Sequence, residues 1–247
     1  TNGTPINPNI TTTYTLTGTD PNGCENTDNV TVTVNSLPIV TANSTPGSPL
    51  CEGDDLTLNG GGAATYSWDN SVIDNTLFTQ ANGTTTYTVT GTDANLCENT
   101  ATISITVNPL PTVTASSNPT SPLCEGDNLT LNGSGATTYS WDNSVIDNTS
   151  FTSPVGTITY NVIGTDVNSC ENTATISITV NPLPTVTANS APTSPLCEGD
   201  DLTLNGNGAT TYTWTDGTSN YTDGITFTPA VGTAIYTVTG TDANSCE

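Results

Sequence analysis

The side chains best suited to chemistry in this chain are seven cysteines, each followed by a glutamate. They are Cys24, Cys51, Cys97, Cys124, Cys170, Cys197 and Cys246, and the chain has no other cysteine or glutamate. The pair stands in two alternating contexts. One is Leu-Cys-Glu-Gly-Asp, as at Leu50 to Asp54; the other is Asp-x-Asn-x-Cys-Glu, as at Asp93 to Glu98. Thiols at such wide intervals lack the Cys-x-x-Cys clustering of a metal-thiolate centre. They suit disulfides, and therefore an oxidising, extracellular compartment.

What the chain omits narrows its chemistry further. There is no Lys, Arg or His against 23 acidic residues, a formal net charge of −23. Nucleic-acid binding needs cations to displace condensed counterions, and attraction to anionic lipid headgroups needs them too. Ser-His-Asp and Cys-His catalysis lack their base. No run of about 18 apolar residues offers a membrane span. Paired carboxylates are the one remaining catalytic option, as in glycosidases. Here each pair recurs in every repeat and a small sandwich offers no cleft, so no enzyme is expected.

The elements that carry these residues are repeated. Cys51, Cys124 and Cys197 are spaced by 73 residues, as are Cys24, Cys97 and Cys170. The repeats are 37–109, 110–182 and 183–247, preceded by the end of an earlier one, 1–36. The chain opens and closes inside a repeat and reads as part of a longer protein, the last repeat lacking its final strand. Linkers read Asn-Pro-Leu-Pro (Asn108–Pro111, Asn181–Pro184) or Asn-Ser-Leu-Pro (Asn35–Pro38). Two prolines in four residues keep such a linker extended and short. The third repeat carries three extra residues around Thr215–Ile225, an insertion expected to form a surface loop.

Within a repeat the apolar period is two. Leu56 and Leu58 alternate with polar residues, as do Tyr66 and Trp68, Tyr87 and Val89, and Ala101, Ile103, Ile105 and Val107. Threonines take the other face, where a β-branched residue suits a pleated backbone. Gly60–Gly62, Asp69-Asn70, Asn82-Gly83 and Asp93-x-Asn95 separate these runs as turns. No segment has helical periodicity. About seven short strands per repeat predict an all-β fold of tandem antiparallel β-sandwiches in an extended array. The order of landmarks is that of strands B, C, F and G of an immunoglobulin-like sandwich. Trp68, Trp141 and Trp214 then stand on strand C against the core, while the cysteines sit at strand ends.

The combination Leu-Cys-Glu-Gly-Asp-Asp-Leu-Thr-Leu, Tyr-Ser-Trp, Tyr-Thr-Val-Thr-Gly-Thr-Asp-Ala-Asn-x-Cys and Thr-Ile-Ser-Ile-Thr-Val-Asn-Pro resembles the PKD-like and Ig-like tandem repeats of giant Bacteroidota surface proteins. That family includes the gliding-motility adhesin and other type IX-secreted proteins. The resemblance implies a secreted, cell-surface location, a role in adhesion or filaments, and no catalytic residue.

Two disulfide schemes fit. Pairing within repeats gives Cys51–Cys97, Cys124–Cys170 and Cys197–Cys246, leaving Cys24. Pairing between successive repeats gives Cys51–Cys170 and Cys124–Cys246, the remainder finding partners outside residues 1–247. In an immunoglobulin-like topology the two turns of one repeat lie at opposite ends of strands about 25 Å long, whereas a disulfide needs Cα atoms within about 7 Å. That geometry tips a near-even choice towards the between-repeat scheme.

The same geometry would gather Glu52, Asp54, Asp55, Asp166 and Glu171 with no cation to offset them. Hard oxygen ligands suit Ca²⁺, the one cofactor the sequence suggests. The alternative is that Asp-x-Asn forms an Asx-type turn and the acids are solvated. Asn-x-Ser/Thr sequons at Asn43, Asn82, Asn128 and Asn148 are the chance yield of an Asn- and Thr-rich chain. The leading function is a structural stalk in an extracellular filament or surface adhesin, partnered by neighbouring repeats or further copies of itself. One rival is a binding module for surface glycans, with Tyr221 as the aromatic outside the core pattern. The other is a filament subunit joined by strand donation.

Overall fold

A computed structural model of the chain describes residues 3–247, so residues 1 and 2 of the expected partial repeat lie outside the described residues. The chain folds as two compact units, Thr1–Leu110 and Pro111–Glu247. Every regular element among the described residues is a strand.

The first unit opens with a hairpin of β1 (Thr12–Thr19) and β2 (Glu25–Val32). Seven strands follow: β3 (Thr41–Thr45), β4 (Leu50–Cys51), β5 (Asp55–Gly61), β6 (Thr65–Trp68), β7 (Leu77–Thr79), β8 (Gly83–Thr92) and β9 (Glu98–Asn108). They form two facing sheets, in the orders β3-β5-β7 and β4-β9-β8-β6. This is an immunoglobulin-like sandwich. One pairing departs from the antiparallel expectation: β4 runs parallel to β9, with Leu50 opposite Val107. Pro46 and Pro49 explain it. Lacking N–H donors, they interrupt the first strand, and its second half crosses to the opposite sheet beside the last strand.

The second unit repeats this plan as β10 (Thr114–Asn118), β11 (Leu123–Cys124), β12 (Asn128–Ser134), β13 (Thr138–Trp141), β14 (Ser150–Thr152), β15 (Gly156–Thr165) and β16 (Glu171–Asn181). The sheets are β10-β12-β14 and β11-β16-β15-β13. Its core holds Leu129, Leu131, Trp141, Tyr160, Val162, Ile178 and Val180, all nearly or fully buried. These are the inward positions of the period-two pattern, each large apolar group removed from water contributing about 1.5–3 kcal/mol. Tyr139 packs flat on Gly133, where a side chain would collide with its ring. Its hydroxyl accepts the Ala136 N–H and donates to the Ala136 carbonyl.

The third repeat, in the same unit, comprises β17 (Thr187–Ala191), β18 (Leu202–Asn207), β19 (Thr211–Thr215), β20 (Asn220–Thr222), β21 (Thr226–Phe227) and β22 (Thr237–Thr241). Its sheets are β17-β18-β21 and β20-β19-β22. The expected surface loop at Thr215–Ile225 is corrected: the added residues form β20, which pairs with β19. Tyr221 lies opposite Trp214 in that pairing. The strand forms because Tyr221 can bury its ring against the core while Asp216 closes the turn.

Candidate functional site

The residues singled out by chemistry converge where the second repeat meets the third. Cys124 ends β11, held beside β16 by parallel pairing with Asn181. The Glu125 N–H donates to the Asn181 carbonyl at 2.8 Å. Asp127 closes the turn: its carboxylate accepts the Cys124 N–H at 2.9 Å, and its own N–H donates to the Cys124 carbonyl. Gly126 between them has φ +90°, a conformation suited to a residue without Cβ.

The partner turn follows β22. The Asp242 carboxylate accepts the N–H groups of Asn244 at 2.7 Å and Cys246 at 2.9 Å. These bonds favour the ionised form, the one from Cys246 foremost, and hold the Asp242 carboxyl below its ordinary pKa. Asp20, in the same turn after β1, is lowered for the same reason, with the Cys24 N–H as first cause. The turn presents Cys246, fully buried, and the structure bonds it to Cys124. Their Cα atoms are 5.5 Å apart, across 122 residues of sequence. A Glu125 carboxylate oxygen also lies 3.5 Å from the Leu183 N–H in the linker. Both halves of the Cys-Glu pair thus act at this junction, one as a covalent tie and the other as an acceptor for the linker.

Cys51 and Cys170 are also disulfide-bonded. Cys24, Cys97 and Cys197 are thiols. The between-repeat scheme leaves these three without a counterpart inside residues 1–247.

The five acids expected to gather around calcium each have a place in their own unit. In the first unit, Asp54 accepts the Cys51 N–H at 2.8 Å. Glu52 donates its N–H to the Asn108 carbonyl, and Asp55 begins β5 opposite Thr79. In the second unit, Asp166 accepts from the Asn168 and Cys170 N–H groups, while Glu171 accepts the Thr165 hydroxyl at 3.3 Å. Among the described residues, no group of three or more His, Cys, Asp and Glu is placed to hold a metal ion. The Asp-x-Asn segments form Asx-type turns, the aspartate accepting the Asn95, Asn168 and Asn244 N–H groups.

The tryptophans are core. Trp68, Trp141 and Trp214 are all buried. Each indole N–H donates at 2.8 Å to an aspartate, Asp74, Asp147 and Asp223 respectively. The same carboxylate oxygen accepts a backbone N–H from Gly60, Gly133 or Gly206. This clamp was not expected from the sequence, although its signal was there: the aspartate survives the three-residue insertion. Tyr221 is likewise not free to stack on a ligand. Its ring centroid lies 4.4 Å from that of Phe227 and 5.2 Å from that of Tyr236. Its hydroxyl donates to Asp216 at 2.7 Å. That bond pushes the Tyr221 phenol up to about 12 and holds the Asp216 carboxyl well below its usual range.

Two grooves open on the second unit. One, of about 380 Å³, is lined by Leu196, Leu202, Leu204 and Tyr236. It lies in the third repeat. The other, of about 510 Å³, lies in the second repeat beside Val145, Phe151 and Tyr160.

No helix among the described residues is long and apolar enough to cross a membrane. No family model matches the chain, and no curated protein matches it. Among solved structures it is similar to the fibronectin(III)-like modules of Clostridium thermocellum CbhA. Identity there is 15%, covering 58% of this chain and 95% of that one, with a TM-score of 0.29. It is also similar to extracellular cadherin domains 3–6 of protocadherin gamma B2, at 10% identity over 75% of this chain and 60% of that one, with a TM-score of 0.25.

Proposed function

We propose that this chain is a length of structural stalk in an extracellular filament or cell-surface adhesin. The observation that carries the reading is the Cys124–Cys246 bond, which ties the A–B turn of one repeat to the F–G turn of the next. A cross-link placed there resists separation of successive repeats, which matters under tension more than in free solution. The absence of Lys, Arg and His, the repeated sequence and the resemblance to Bacteroidota surface repeats support the same role outside the cell.

Single-molecule pulling tests it. With the bond intact, the 122 residues it spans are withheld from extension. Reduction, which also opens the bonds at Cys51 and Cys170, should release at least about 400 Å of further contour length, at roughly 3.3–3.6 Å per residue. Equal extension with and without reductant would remove the load-bearing role.

A further inference from the structure

We propose that the groove on the second repeat is a docking site for a tyrosine side chain presented on an extended segment of another polypeptide. The third repeat shows what such an occupant looks like. In both repeats the tryptophan and the aspartate that accepts its indole N–H fix the frame. Two residues before that aspartate stand Val145 in the second repeat and Tyr221 in the third. Two residues after the tryptophan stand Asn143 and Asp216.

The surroundings match. Phe151 and Tyr160 have ring centroids 5.8 Å apart at an interplanar angle of 71°. Phe227 and Tyr236 are 5.7 Å apart at 66°. In the third repeat a phenol ring rests on this pair and donates its hydroxyl to Asp216. In the second repeat Val145 leaves that place open, as the groove of about 510 Å³ lined by Asn143, Val145, Ile146, Phe151, Ile158 and Tyr160. Asn143 lines it where Asp216 stands in the third repeat; its amide nitrogen donates to Asp142, which leaves its carbonyl oxygen to accept a phenol.

The backbone requirement is met as well. β20 reaches the aromatic pair by pairing along β19. The equivalent strand β13 ends its sheet, with no neighbour on its outer side among the described residues. An incoming strand can therefore hydrogen-bond along β13 while its tyrosine enters the groove, the mode of β-strand addition. The six lining residues named carry no charge, so a neutral segment is accepted without an ion pair.

The test is residue-resolved NMR of the full chain titrated with the neutral peptide acetyl-Ser-Asn-Tyr-Thr-amide. Saturable shifts at Phe151, Tyr160 and the backbone of β13 are expected, with none at Phe227 or Tyr236, where Tyr221 already fills the site. Replacing the peptide's tyrosine by alanine should weaken binding by about tenfold or more, as expected for loss of an aromatic contact. Val145→Tyr, which supplies the ring in cis, should do the same. Equal binding of the alanine peptide, unchanged binding by V145Y, or no saturable shift with the tyrosine peptide overturns the proposal. Binding of p-cresol as tight as that of the peptide would overturn the strand-addition part and leave a pocket for small phenols.

Discussion

The second and third repeats share a frame and differ in how they close it. The second is sealed by β16, which buries Ile178 and Val180. The third buries Leu202, Leu204 and Trp214 on the same frame. On one edge the third gains what the second lacks, the strand β20 and the Tyr221–Phe227–Tyr236 cluster. One plan of seven short strands thus tolerates an added edge strand. What stays constant is the tryptophan–aspartate–glycine clamp and the cysteine-bearing turns.

The largest consequence concerns the disulfide. A bond closing a 122-residue loop restricts the unfolded chain by about 4–5 kcal/mol in the chain-entropy model. The bond joins the second repeat to the third, so both should depend on it. In calorimetry, Cys124→Ser with Cys246→Ser is expected to lower the melting of the second and third repeats and to uncouple their transitions. A single unchanged transition would mean that the two repeats are held together by packing alone.

The clamp should matter equally in both. Asp147→Ala strands the Trp141 indole N–H and the Gly133 N–H, and Asp223→Ala strands the equivalent pair. A buried donor left without a partner costs about 1–3 kcal/mol, so a loss of about 2–4 kcal/mol is expected at each site by denaturant unfolding. A much smaller loss at Asp223 would show that the third repeat is already loosened around its tryptophan.

These residues also mark how far the sequence could be read. The two-sheet fold was legible because Leu56, Leu58, Ile105 and Val107 obey a strict period of two, and burial enforces that pattern. The turns were legible because Asp-x-Asn fixes its own backbone. The parallel seam between β4 and β9 was not, since two residues are too short to show a period. Tyr221 was misread for a physical reason: an insertion usually extends a loop, and nothing local reveals that its aromatic meets Phe227 and Tyr236 across the fold. The aspartate of the clamp was hidden because one acidic residue among 23 carries no mark of burial.

Removing the third repeat's extra ring tests the contrast directly. Tyr221→Val makes its edge resemble that of the second repeat and should lower the third repeat's melting temperature by several degrees. It should also change the pH profile. The Tyr221 phenol is raised by its bond to Asp216, so its contribution is full below the ordinary value of 10.0 and fades as pH rises towards about 12. Asp216 is depressed, so its contribution is present above the ordinary 3.8 and is lost only in stronger acid. The wild-type third repeat should therefore weaken between pH 10 and about 12 in a way that the variant does not. An identical alkaline profile in the variant would dissociate the bond from stability.

The smallest expected effect probes what the two repeats hold in common. Ser169 and Ser245 precede the second cysteine of their repeats with φ of 64° and 66°. The earlier hairpin places Gly23 at this position, with φ 82°. A side chain in the left-handed region costs about 1–2 kcal/mol, while glycine gives back about 0.5–1 kcal/mol through the freedom of the unfolded chain. Ser169→Gly and Ser245→Gly should each gain a few tenths to about 1 kcal/mol by that balance. Equal gains in chemical denaturation would show that the turn is set by its own aspartate, through the bonds from Asn168 and Cys170 in one repeat and Asn244 and Cys246 in the other. Unequal gains would mean that contacts beyond the turn fix the backbone at one of the two serines, since the cysteine that follows is disulfide-bonded in both.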